Sequence, residues 1–69
     1  METEIVFIVE ESAEGGYEAK AVNHSIFTEA DSLGELRSMV KDALVCHFEE
    51  GQRPNAIRLH FVRDEVIAA

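Results

Sequence analysis

Gly15-Gly16-Tyr17-Glu18-Ala19 and Thr28-Glu29-Ala30-Asp31-Ser32-Leu33-Gly34-Glu35-Leu36 are the stretches whose reading decides the fold. The first is a glycine turn opening onto a strand; the second closes a strand and starts a helix. Working outward from them yields strand, strand, strand, helix, strand, which uses nearly all of the 69 residues and leaves little room for a catalytic apparatus.

Upstream of the glycines, residues 3–10 read as the first strand, with Ile5, Phe7 and Val9 on one face and Val6 and Ile8 on the other. Residues 17–22 alternate as a second strand, Tyr17, Ala19 and Ala21 lying opposite Glu18, Lys20 and Val22. Asn23-His24-Ser25 supplies a polar turn into a third strand at 26–29, completing an antiparallel meander. Ser32 with Glu35 three residues later forms a capping box, Asp31 adds favourable charge at the helix start, and Gly51 with Pro54 is expected to close the helix. Leu33, Leu36, Met39, Val40, Ala43, Leu44, His47 and Phe48 fall on one half of that helix, so this face is expected to pack on the sheet. Val45 is the apolar residue on its solvated side.

Residues 56–62 resume alternation, Ile57, Leu59 and Phe61 against Arg58, His60 and Val62. A right-handed crossover through the helix places this fourth strand beside and parallel to the first. The predicted fold class is α+β, a single domain over residues 1–69 with a four-stranded sheet in order 3-2-1-4 and one helix on one face. The other face then gathers Val6, Ile8, Val22, Phe27 and Val62, with Lys20, Arg58 and His60 around them. Those eight residues are the expected interface with a second subunit, in a dimer or higher homo-oligomer, or with a partner. Residues 65–69 extend the last strand or add to that contact.

Composition narrows the function classes. A domain of about 60 residues buries only about 60% of its unfolded surface, so oligomerisation is a natural source of added stability. Cys46 is the lone cysteine, which excludes a disulfide framework and suits a reducing cytoplasm. Met1 leads into Glu2 and Glu4 rather than a basic and apolar leader, and no apolar run reaches membrane-spanning length, so neither a signal peptide nor a membrane span is expected. Fourteen acidic residues against 6 basic ones leave a net charge of −8, which opposes direct nucleic-acid binding and steers the chain toward basic proteins.

Nothing in the chain reads as catalytic, metal-binding or cofactor-binding. The carboxylates fall mostly in turns and on exposed faces, and His24, Cys46, His47 and His60 lack zinc-ligand spacing. His47 reads as a core histidine and Cys46 as a small buried hydrophobe. His60, beside Arg58 on the uncovered face, reads as an interface residue. Gly15-Gly16 is followed by a strand rather than a helix, so it is no phosphate loop. The chain is expected not to be an enzyme.

Glu14-Gly15-Gly16-Tyr17-Glu18-Ala19, a third strand ending in Thr28, and Asp31-Ser32-Leu33-Gly34-Glu35-Leu36 running into an amphipathic helix resemble the N-terminal domain of HicB-like antitoxins over residues 4–62. The resemblance implies a partial ribonuclease-H-like fold without a working carboxylate cluster. It also implies a toxin–antitoxin role, in which the domain assembles as dimers or higher and neutralises a small basic ribonuclease of double-stranded-RNA-binding fold. Two departures stand out. Asn23-His24-Ser25-Ile26 replaces a proline-containing stretch, and the DNA-binding domain that usually follows is absent, so operator binding does not carry over. The alternative is an orphan homo-oligomer with no toxin partner.

Overall fold

Four strands and one helix follow one another as β1 (Glu4–Glu11), β2 (Tyr17–Ala21), β3 (Phe27–Ala30), α1 (Leu33–His47) and β4 (Ala56–Val62). The computed structural model describes residues 3–69; Met1 and Glu2, read above as a start without a leader, lie outside the described residues. The strands form one sheet in the order β3-β2-β1-β4, with β4 parallel to β1 and the other neighbours antiparallel. The α+β reading and its strand order therefore hold.

Strand alternation sends Ile5, Phe7 and Val9 to the helix side, where they form the core with Ala19, Ala21, Ile26, Leu36, Val40 and Leu44. Ala19 and Ala21 are small, which lets α1 lie low over β2 with Leu36, Val40 and Leu44 as its buried stripe. The helix begins where its capping motif predicts, with the serine half of the box in place: Ser32 Oγ accepts a hydrogen bond from the Glu35 backbone N–H at 3.2 Å. In the β1–β2 turn the Ser12 N–H donates to the Gly16 carbonyl at 2.9 Å, and the Gly15 N–H donates to the Ser12 carbonyl at 3.1 Å.

Several local expectations are corrected. The helix stops at His47, before Gly51, because Phe48 turns extended (φ −107°, ψ 144°) and its partly buried ring packs on the core. The Phe48 N–H still donates to the Leu44 carbonyl at 3.0 Å, and Gly51 belongs to a separate turn in which the Gln52 N–H donates to Glu49. Cys46 and His47 are exposed rather than buried: Cys46 lies beside a buried stripe that is narrower than half the helix, whereas His47, in line with Leu36, Val40 and Leu44, is the last helical residue, where the packed stripe has ended. His47 instead meets other rings edge-on, Phe48 at 4.9 Å and His24 at 5.8 Å between centroids. Val22 and Ile26 fall outside the strands, in a connection where Asn23 adopts φ 66°. Residues 65–69 do not extend β4, which ends at Val62.

The helix also covers less of the sheet than its sequence suggests. Two residues separate Ala30 from Leu33, so α1 must start directly above β3. Its backbone comes within 8 Å of β3 and β2, Cα to Cα, but not of β1 or β4. Long side chains from α1 and β1 bridge the middle of the sheet. At β4 they do not close the gap: Ile57 and Leu59 stay half-buried, and Phe61 is 51% exposed.

Candidate functional site

The face away from the helix is organised in straight rows, because antiparallel and parallel registers both set residues side by side across strands. Phe27, Lys20, Ile8 and His60 form one row spanning all four strands. On one side of it lie Val22, Val6 and Arg58; Val6 is opposite Arg58, and the Val22 N–H donates to the Val6 carbonyl at 2.9 Å just past the end of β2. All eight residues expected at an interface thus sit on one face, with Val62 at its far end beside Glu10.

Val6 and Ile8 are half-buried by their neighbours, whereas Phe27 on the edge strand is 58% exposed. Arg58 is tied to Glu4 through its Nε in an ion pair that is largely open to water. Exposed pairs of this kind contribute little stability, about 0–1 kcal/mol.

The third row was missed by sequence reasoning. Glu29, Glu18 and Glu10 lie side by side on β3, β2 and β1, with Val62 completing the row on β4. Their signal was present as the residues two positions from Phe27, Lys20 and Ile8, which alternation puts on the same face. What alternation cannot supply is the register that makes the three carboxylates adjacent. Like charges directly opposite one another are unfavourable, by roughly 0.7 kcal/mol for unit charges about 6 Å apart in water. Glu10, Glu18, Lys20, Ile8 and Phe27 together line a shallow depression of about 530 Å³.

An apolar band with an acidic border is suited to holding a cationic, partly apolar surface. Among the described residues, no group of three or more His, Cys, Asp or Glu side chains is disposed to hold a metal ion. No helix among them is long and apolar enough to cross a membrane.

No protein-family model matches the chain, and no solved structure matches it either. Two curated relatives do. A UPF0150 protein of Thermotoga maritima is 51% identical over 70 aligned positions, covering 99% of each chain. A UPF0150 protein of Archaeoglobus fulgidus is 62% identical over 50 residues, 72% of this chain and 74% of the relative. Identity at that level across essentially the whole fold means that the chain belongs to the UPF0150 protein family.

Proposed function

We propose that this chain is a protein-binding module of the HicB-like antitoxin type, working in the cytoplasm and not as an enzyme. Its open sheet face docks a small basic protein such as a toxin ribonuclease. One observation carries the reading: Phe27 and Ile8 stand in a row beside three adjacent glutamates, Glu10, Glu18 and Glu29. An arginine- or lysine-rich partner relieves the repulsion within the acidic row while the apolar band anchors it. The net charge of −8 speeds the encounter.

The test is co-purification with the product of a neighbouring small basic reading frame, followed by an assay of that partner's ribonuclease activity. Stable capture and loss of nuclease activity are expected, both weakened by Phe27→Ala and Glu18→Lys. Failure of the unaltered chain to capture or inhibit such a neighbour overturns the proposal. The second reading, an orphan homo-oligomer without a toxin partner, is favoured by the apolar character of Val6, Ile8, Val22 and Val62, which suits a second copy as well. A gene context with no basic neighbour selects it.

A further inference from the structure

A different surface, where α1 stops short of β4, carries an inference independent of the open face. Val40, Ile57 and Leu59 floor a groove of about 250 Å³ whose helix wall is Arg37 and Lys41. These are two of only 6 basic residues in the chain. Along the groove runs β4, the edge strand of the sheet, whose outer backbone groups have no strand partner. An edge of this length, apolar on its helix side and without proline, is a ready template for another strand.

Beyond Val62 the chain continues as a segment with complementary chemistry. Residues 63–69 are all exposed and form no backbone hydrogen bonds among the described residues. Asp64 and Glu65 precede Val66 and Ile67, which are 95% and 83% exposed. Among the described residues these two are the most exposed of the large hydrophobic side chains, and burying them against another surface is favourable. The segment projects from the body: the molecule measures 51 × 21 × 18 Å, and its radius of gyration of 13.5 Å exceeds the roughly 11 Å of a compact chain of this length.

We infer that residues 63–69 of one copy pair with β4 of a second copy, seating an aliphatic side chain in the groove between α1 and β4, with the exchange reciprocal. Charge complementarity selects this occupant: strand alternation turns one of the two acids, with the aliphatic residue two positions after it, toward the helix side, where Arg37 and Lys41 stand above an aliphatic floor. Connectivity selects a second copy over the same one. The segment leaves β4 heading away from its own groove, and Arg63-Asp64-Glu65 has no glycine or asparagine for a tight return. Two copies arranged antiparallel about the Val62–Arg63 junction place each segment along the other's β4, as a two-fold axis requires. Alternation then sends one of Val66 and Ile67 into the groove and the other to the opposite face.

Sedimentation of the full chain tests this, and the expected result is a dimer of the 7.7 kDa protomer that weakens with added salt. Removing residues 64–69, or the double change Val66→Asp with Ile67→Asp, is expected to raise the dimer dissociation constant by about tenfold or more, as loss of a buried anchor does. Because Val66 and Ile67 are almost wholly exposed in the protomer, its fold should be retained, and its unfolding should match that of the unaltered chain diluted until monomeric. The pair Arg37→Glu with Lys41→Glu should also dissociate, and mixing it with the pair Asp64→Lys and Glu65→Lys should restore association. Phe27→Ala, on the open face, should leave the dimer intact. A monomeric full chain overturns the inference, as does a dimer that survives loss of residues 64–69 or one that Phe27→Ala dissolves.

Discussion

A β-carbon placed on Gly16 would stand 2.7 Å from the carbonyl oxygen of Ala30, so the β1–β2 turn and the end of β3 meet backbone to backbone. Tyr17, the next residue, pairs directly with Ala30, and Ala30 stands two residues before the helix cap Ser32. The glycine turn therefore packs against the point from which the helix leaves the sheet.

Gly16→Ala should accordingly be severe. The position has φ 83° as well as the close carbonyl, and a left-handed non-glycine residue alone costs about 1–3 kcal/mol. Gly15→Ala meets φ 96° but open space, so its loss should be the smaller. Urea unfolding of both variants is the measurement. Equal losses would show that the Ala30 approach has no energetic weight.

At the helix start, the cap bond runs from the Glu35 backbone N–H to the Ser32 hydroxyl. Ser32→Ala should lower stability by about 0.5–2 kcal/mol. Glu35→Ala keeps that bond and should lose less, through the dipole alone. Thermal melts of the two variants at equal ionic strength distinguish them.

Burial separates core from candidate surface. Leu36 is fully buried, and Leu36→Ala should cost about 2–5 kcal/mol through lost transfer energy and the cavity left behind. Val45→Ala, on the exposed side of the helix, should stay within about 0.5 kcal/mol. A large loss at Val45 would mean that its side chain is covered in solution.

The acidic row makes stability and binding move in opposite directions. Glu18 is the middle carboxylate, flanked by Glu10 and Glu29. Glu18→Gln should raise stability by up to about 0.5 kcal/mol at low salt and weaken capture of a basic partner. Chemical unfolding at two salt concentrations, paired with titration calorimetry against the partner, reads both effects. Reduced stability on this substitution would contradict the proposed repulsion.

Much of the fold was legible because its signals are local. Ser32 and Glu35 mark the helix start through a bond between residues three apart, and Ile5, Phe7 and Val9 declare their face by alternation alone. The helix end was less legible: Gly51 is a stronger stop signal by composition than Phe48, yet Phe48 packs on the core and ends the helix first. The exposure of Cys46 was hidden for a related reason. Periodicity gives the direction of an apolar face but not its width, which depends on how closely the sheet approaches the helix.

By itself, the sequence determined the element order, the helix cap and which residues share a face, since each follows from chain geometry over a few neighbouring positions, and the strand order, since short connections and a right-handed crossover leave few arrangements. Only the tertiary structure decided that Glu10, Glu18 and Glu29 stand side by side, and that α1 leaves β4 uncovered beside residues 63–69. Both depend on relations between segments distant in the chain. A register is set by cross-strand hydrogen bonds, and a helix position is set by the two-residue link to β3 and the small alanines of β2.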